Sequence, residues 1–147
     1  LNPFPAMAYF SHSRKNPDGT TVGSKLLRHH TEGVTRKALN AYFPGHSFPE
    51  AAAVYDLVER IGRLHDLGKY TPHFQHYLLR NGAFDQNLKQ HAKFGAYVLY
   101  HWYRSEGHDW LGLLACYLVV HHHQSLSDLG EFASLVREKE YHGDTFA

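Results

Sequence analysis

Residues 64–69 have the sequence LHDLGK, which places an adjacent histidine and aspartate at the end of a predicted helix. His65 and Asp66 would offer one metal ion a nitrogen and a carboxylate from consecutive residues, and a carboxylate can also bridge to a second ion. Alone, such a pair is a weak signal, because the 147 residues of this chain include 14 histidines. The pair becomes informative only if a subset of the other histidines joins it.

The helix that precedes this pair is predicted from apolar residues at helical spacing. Ser47 as a cap, Pro49 in the first turn and Glu50 are expected to begin this helix, and Gly68 is expected to end it. Its inward face is predicted to consist of Val54, Leu57, Val58, Ile61 and Leu64.

The same helical periodicity runs through most of the chain. Further helices are predicted over residues 24–43, 72–79, 90–103, 109–122 and 129–140. Thr71 and Asp128 are expected to cap the helices that follow them, and Asn81-Gly82 to end the third helix. The one sign of β-structure is a short strand pair around the turn at residues 16–19. The predicted class is therefore all-α, a bundle of five or six helices around one core.

Histidines occupy the ends or inward faces of three other predicted helices. His30 shares the apolar face of the first helix, whereas its neighbour His29 is expected at the periphery. His91 begins the fourth helix, and the histidines at 121–123 follow the almost wholly apolar segment 111–120. Buried imidazoles need polar partners, so packing alone does not explain a buried helix that ends in histidines.

Together with His65 and Asp66, these histidines predict one metal-dependent hydrolytic centre. Imidazole and carboxylate ligands suit first-row metals such as Mn, Fe, Ni, Co or Zn. Two ions roughly 3.5–4 Å apart would activate a water and stabilise the leaving oxygen of a phosphodiester. Lys69, which follows the pair closely, either touches a substrate phosphate as a point charge or is a solvated lysine at a helix end. For any single histidine of the set, a structural or surface role is the simpler interpretation.

Length, charge and apolar content limit the classes of protein to which this chain can belong. A length of 147 residues suits one domain with a substantial core. The 15 basic and 14 acidic residues nearly balance, which argues against a broad electrostatic footprint for nucleic acid but not against a local basic cleft. No segment approaches the roughly 18–20 apolar residues that would span a membrane.

The single cysteine, Cys116, excludes a disulfide framework and favours a reducing, cytoplasmic location. It lies in the apolar segment 113–118, where a small buried hydrophobe is expected rather than a nucleophile. Residues 1–6 precede Met7 and are expected to be a cloning remnant, with the domain itself over residues 7–147.

Four segments of the chain resemble one known family. They are residues 27–34 (LRHHTEGV), residues 65–69 (HDLGK) with FQ at 74–75 and YL at 77–78, His91 with Gly95-Ala96, and residues 119–123 (VVHHH). A bare His-Asp pair is typical of the whole HD phosphohydrolase superfamily. The pattern HD-x-GK followed by FQ-x-YL is narrower, and it resembles the HD nuclease domain of the CRISPR type I effector nuclease–helicase. The resemblance covers roughly residues 9–127.

This resemblance implies an HD-domain helical bundle that holds one or two divalent transition-metal ions, such as Mn, Ni, Co, Fe or Zn, with Mg also possible. The implied metal ligands are His30, His65, Asp66, His91, His122 and His123. His65 and Asp66 are the implied catalytic pair, and Lys69 matches a motif lysine that is expected to position the substrate. The implied activity is endonucleolytic and exonucleolytic cleavage of single-stranded DNA in CRISPR interference and antiviral defence.

The partners implied by the resemblance are single-stranded DNA, a CRISPR helicase subunit or domain, and an RNA-guided effector complex. Close to the motif, Lys69, Tyr70 and His73 are the residues expected to contact nucleic acid, the latter two by stacking on bases. Phe74 and Tyr77 are expected to pack in the core instead.

The run of three histidines leaves two registers open for the family's paired-histidine motif. Pairing His122 with His123 places Val119 at the family's apolar position, whereas pairing His121 with His122 shifts the ligands by one residue. Gln124 also departs from the family pattern, in which glycine usually follows the pair.

The family has a further metal-binding aspartate downstream. Asp128 and Asp144 are the only aspartates after the histidine run, and neither stands at the expected distance. The domain is therefore expected to lack C-terminal helices of the family, and the sequence contains no helicase motif.

Two other functions stay open. One is an HD-type phosphohydrolase acting on a nucleotide or cyclic nucleotide, although the sequence contains no nucleotide-binding signature. The other is a non-catalytic HD module in an effector complex, which the missing downstream aspartate makes credible.

Overall fold

Helices make up most of the chain, as the periodicity predicts. The computed structural model describes residues 8–42, 50–81 and 90–141. Its elements are β1 (Phe10–Lys15), β2 (Thr21–Leu26), α1 (Leu27–Tyr42), α2 (Ala51–Leu64), α3 (Pro72–Leu79), α4 (His91–Ser105), α5 (Asp109–Val120) and α6 (Leu129–Tyr141), with a single 3₁₀ turn over Leu67–Tyr70. No helix in these ranges is long and apolar enough to cross a membrane.

The strand pair predicted around residues 16–19 is confirmed as an antiparallel hairpin of β1 and β2. Gly19 occupies the turn with a φ of +86°, a conformation that favours glycine. The prediction of a helix from residue 24 is wrong at its start, because residues 24–26 belong to β2. Leu26 pairs with Phe10, and the Leu27 N–H donates to the Tyr9 carbonyl at 2.8 Å. The backbone groups there are therefore hydrogen-bonded to the neighbouring strand segment rather than within a helix.

The core lies where α4 and α5 pack together and against α2. Leu99 on α4 and Ala115, Cys116 and Val119 on α5 are fully buried. Burial raises the pKa of the Cys116 thiol to about 12, which agrees with its expected role as a small hydrophobe.

Helix α5 is two residues shorter than predicted. The helix ends at Val120, and the three histidines that follow lie in a turn rather than on the helix over 109–122. The Nδ1 atoms of His121 and His122 lie 2.8 and 2.6 Å from the carbonyls of Tyr117 and Val119, so the histidine side chains satisfy backbone groups that the helix end leaves open.

The prediction that Gly68 ends α2 is wrong. The helix ends at Leu64, and Gly68 lies within the following 3₁₀ turn. A Cβ atom on Gly68 would lie 2.4 Å from the His91 carbonyl oxygen, and one on Gly95 would lie 2.1 Å from the Leu64 carbonyl oxygen. These two glycines therefore let the start of α4 pack directly against the turn that carries Asp66.

Two predicted caps are confirmed. The Thr71 hydroxyl accepts a hydrogen bond from the Phe74 N–H, and Asp128 Oδ1 accepts one from the Glu131 N–H at 2.9 Å. The third helix ends at Leu79, as predicted, and Arg80 directly after it adopts the left-handed conformation (φ +52°) that is typical of a helix end. Several sequence predictions lie outside the described residues: the cloning remnant at 1–6, the helix start at Ser47 and Pro49, the stop at Gly82, and Asp144.

Candidate metal centre

Asp66 lies at the centre of a cluster of histidines. Its side chain is buried, with 1% exposure, at the junction between α2 and the 3₁₀ turn. The contacts to its carboxylate are His30 Nε2 to Oδ2 at 3.1 Å, His65 Nε2 to Oδ2 at 3.4 Å, His91 Nε2 to Oδ1 at 3.2 Å and His122 Nε2 to Oδ1 at 3.5 Å. The ends of α2 and α5, the start of α4 and the first turn of α1 thus converge on one buried carboxylate.

The nitrogens and carboxylate oxygens form two donor groups that share Asp66. The three-residue group consists of His30, His65 and Asp66, and the four-residue group consists of Asp66, His91, His122 and His123. Within each group the donor atoms all lie within 4.8 Å of one another. Oδ2 faces the first group and Oδ1 faces the second, which is the arrangement a bridging carboxylate needs.

Backbone carbonyls fix which nitrogen of two rings faces Asp66. His65 Nδ1 lies 3.0 Å from the Gly62 carbonyl and His122 Nδ1 lies 2.6 Å from the Val119 carbonyl. A carbonyl only accepts, so each Nδ1 carries a proton, and in a neutral ring Nε2 then presents a lone pair. Protein metal sites commonly hold their histidine ligands in this way.

Unsatisfied polar atoms in the described structure coincide with the donor groups. His122 Nε2, His30 Nδ1 and Asp66 Oδ1 are buried without a hydrogen-bond partner among the described residues, whereas Asp66 Oδ2 contacts the Lys69 ammonium. A carboxylate and an imidazole lone pair about 3.5 Å apart repel each other unless a cation lies between them. The chemistry of the donors therefore fits one or two divalent transition-metal ions.

The charge states of the cluster follow from its burial. Burial would raise the pKa of Asp66, but the surrounding His122, His65, His91 and Lys69 outweigh it and hold that pKa far below its usual value. Burial lowers the pKa of His30 to about 4, although Asp66 opposes the change.

The pKa values of His123 and His65 are shifted in opposite directions. Burial, with His122 and His91 adding to it, lowers the pKa of His123. Burial acts against the imidazolium of His65 as well, but Asp66 and the Gly62 carbonyl prevail and raise its pKa. His30 and His123 are therefore neutral at pH 7 and ready to donate a lone pair.

Lys69 belongs to the cluster and is not a solvated lysine at a helix end. It is 6% exposed, and its Nζ lies 2.9 Å from Asp66 Oδ2. The ammonium group therefore neutralises the same oxygen that faces the three-residue group.

Hydrogen bonds separate the two registers of the histidine run. His121 is buried and turned away from Asp66, with Nδ1 against the Tyr117 carbonyl and Nε2 3.0 Å from the Ser127 hydroxyl. His122 and His123 join the donor group instead, and His123 Nε2 lies 3.2 Å from His91 Nε2. The structure thus brings together the pair His122–His123, with His121 in a structural position.

The residues expected to contact DNA are placed differently from one another. Lys69 lies inside the cluster, whereas Tyr70 and His73 are exposed and join neither donor group. The Tyr70 ring packs near Tyr9, with centroids 5.2 Å apart. Of the two rings expected in the core, Phe74 is buried, whereas Tyr77 is only half-buried and lines a cleft.

Sequence reasoning missed His12, which lies on β1 beside the cluster. Its ring centroid is 5.2 Å from that of His30, edge to face. The only available signal was the strand pair itself, because nothing in the local sequence of His12 distinguishes it from other exposed histidines. His29 is exposed, as predicted, and Asp128 is occupied in capping α6 rather than in the cluster.

Comparison with protein families identifies the family of this chain. Residues 16–142 match the family described as Cas3, HD domain. Searches of curated proteins and of solved structures returned no match. The matched segment includes both donor groups and most of the helical bundle, and the chain therefore belongs to the family of Cas3 HD domains.

Proposed function

We propose that this chain is a metal-dependent nuclease that cleaves single-stranded DNA, both endonucleolytically and exonucleolytically, in CRISPR interference and antiviral defence. The observation that carries the proposal is the buried carboxylate of Asp66 shared by two donor groups. A pair of ions bridged by one carboxylate suits hydrolysis of a phosphodiester. Its partners would be the helicase subunit or domain and the RNA-guided effector complex of the CRISPR system.

In this proposal, His30, His65, Asp66, His91, His122 and His123 hold one or two divalent transition-metal ions. Bound ions would supply an activated water and stabilise charge on the departing oxygen. The Gly62 and Val119 carbonyls keep His65 and His122 in the tautomer that donates from Nε2.

Lys69 has a separate role in the proposal. Its ammonium group carries the positive charge nearest to Asp66 and would position a phosphate oxygen of the strand. Tyr70 and His73 stay predicted contacts for the strand outside the centre.

The test measures metal content and cleavage together. Purified protein incubated with Mn is expected to retain metal and to cut labelled single-stranded DNA, and His65→Ala is expected to lose cutting while the helical circular-dichroism signal persists. His29→Ala is the matched control, because His29 is an exposed histidine on α1 outside both groups. Cutting that survives His65→Ala would contradict the proposal.

One observation keeps a non-catalytic HD module as the second candidate. Apart from Asp66, no carboxylate among the described residues belongs to either donor group, and Asp128 caps α6. Negligible metal after incubation with Mn or Ni would favour this module. Hydrolysis of free nucleotides without any cutting of DNA would instead favour a nucleotide phosphohydrolase.

A further inference from the structure

A cleft of about 590 Å³ borders the four-residue group. Its lining includes two of the donor histidines, His91 and His123, so the cleft opens directly onto the candidate metal centre. The other residues that line it come from the 3₁₀ turn, from α3, from the start of α4 and from the end of α5. The residues that matter for its chemistry are Lys69, Phe74, Tyr77, His91, Lys93 and His123.

The walls of the cleft combine aromatic rings with positive charge. Phe74 and Tyr77 line the α3 side, with ring centroids 5.8 Å apart, and Lys93 lines the α4 side. No aspartate or glutamate is among the residues that line it within the described chain. A ligand with a flat ring and an anionic group is the class that such walls favour, and a nucleotide has both.

The two aromatic residues differ in what they can offer. Phe74 is 4% exposed and packs edge to face against His91, with centroids 5.0 Å apart, so it supports the donor group. Tyr77 is only half-buried and leaves part of its surface toward the cleft. Tyr77 is therefore the ring on which a base can stack.

The two lysines of the cleft, Lys69 and Lys93, also differ in burial and in whether they already have an ionic partner. The Lys69 ammonium lies 2.9 Å from Asp66 and is 6% exposed. Lys93 is half-buried and makes no ion pair with any residue that the structure describes. Lys93 therefore carries the positive charge of the cleft that is open to an added phosphate.

We propose that this cleft binds the nucleotide next to the scissile phosphate, with Tyr77 stacking on its base and Lys93 binding a backbone phosphate. The inference rests on the proposed function, since it takes the nuclease substrate as given and assigns the residues that position it. A base paired within a duplex is not free to stack on Tyr77, so the cleft also selects single strands.

The experiment measures binding of a labelled oligothymidylate by fluorescence anisotropy in EDTA, which prevents cutting, at several salt concentrations. Lys93→Gln is expected to weaken binding and to reduce the slope of log affinity against log salt by about 0.7, the value for one phosphate contact on a single strand. Lys37→Gln, an exposed lysine on α1 that does not line the cleft, is the matched control and is expected to leave both values unchanged.

Tyr77 is tested with substitutions that separate stacking from packing. Tyr77→Leu is expected to weaken binding of oligothymidylate about tenfold, and Tyr77→Phe to retain it. An abasic oligonucleotide of the same length is expected to bind wild type and Tyr77→Leu equally. Metal content and thermal unfolding of each variant report whether the fold is intact.

The outcomes keep this inference separate from the nuclease proposal. Wild-type affinity and salt slope in Lys93→Gln, equal weakening of both oligonucleotides by Tyr77→Leu, or absence of any binding by wild type would each overturn the cleft assignment. If these variants lose binding as expected but wild type with Mn does not cut, Tyr77 and Lys93 form a binding site for single strands and the nuclease proposal fails.

Discussion

The two donor groups on either side of Asp66 differ in composition and surroundings. The four-residue group offers three imidazoles and one carboxylate oxygen, and it borders the open cleft. The three-residue group offers two imidazoles and the other oxygen, and that oxygen also faces the Lys69 ammonium.

Because of this difference, we expect the two donor groups to bind metal with different affinities. An ion in the four-residue group meets four protein donors, the number that a tetrahedral site uses. An ion in the three-residue group has fewer donors and must share Asp66 Oδ2 with an ammonium group already 2.9 Å away. We therefore expect the four-residue group to fill first.

The largest effect is expected from Asp66→Asn, because only Asp66 belongs to both groups. The amide keeps the shape but removes the charge, so both ions should be lost. Cutting should slow by at least about a thousandfold, since several kcal/mol of transition-state stabilisation come from the metal. Inductively coupled plasma spectrometry and a cleavage time course measure the two effects. Retention of one equivalent of Mn would show that Asp66 is not the shared ligand.

The next largest effect separates the two groups. His123→Ala should lower Mn affinity at the four-residue group by at least roughly 10–100-fold, the range already seen when only outer partners of a ligand are lost. His30→Ala should leave this tighter site intact and remove only the weaker ion. Isothermal titration with Mn measures both, and His29→Ala serves as control. Equal losses of Mn affinity in the two variants would contradict the expected difference in affinity between the two donor groups.

Glycine substitutions test how the fold positions the four-residue group. Gly95→Ala would place a Cβ 2.1 Å from the Leu64 carbonyl oxygen, and α4 would have to move away from the turn that carries Asp66. Overpacking of this kind costs about 1–3 kcal/mol of unfolding free energy, and we expect a loss of Mn affinity with it. Gly33→Ala on α1 meets nothing within 4 Å and should instead stabilise the protein by about 0.5–1 kcal/mol. Chemical denaturation measures both, and equal stabilities of the two variants would contradict the close approach.

The smallest effect on metal binding is expected at His121. Its two ring nitrogens contact the Tyr117 carbonyl and the Ser127 hydroxyl rather than Asp66. His121→Ala should therefore lower the unfolding free energy by about 1–3 kcal/mol and leave the Mn stoichiometry unchanged. A loss of metal in this variant would support the alternative register of the histidine run.

Much of the helical framework and of the cluster could be predicted from the sequence, because both depend on local patterns. Apolar periodicity predicted α2, α3, α4 and α6, and histidines at helix ends predicted which side chains would meet. Capping chemistry was equally local, as Thr71 and Asp128 show. The family that the motifs indicated is confirmed by the match over residues 16–142.

What the sequence could not predict depends on contacts between distant segments. Residues 24–26 have helical periodicity but lie in β2, which pairs with β1, and Gly68 resembles a helix stop but makes room for His91. The position of His121 is set by a hydrogen bond to Ser127 in the following loop. The cleft brings together Tyr77 of α3, Lys93 of α4 and His123 after α5, which are far apart in the sequence.

The measurement that tests the central claim most directly is anomalous diffraction from a crystal of this protein soaked in Mn. We expect two peaks on opposite sides of the Asp66 carboxylate, roughly 3.5–4 Å apart, with the higher occupancy among His91, His122 and His123. Peaks that do not share Asp66, or no peak within coordination distance of it, would contradict the account.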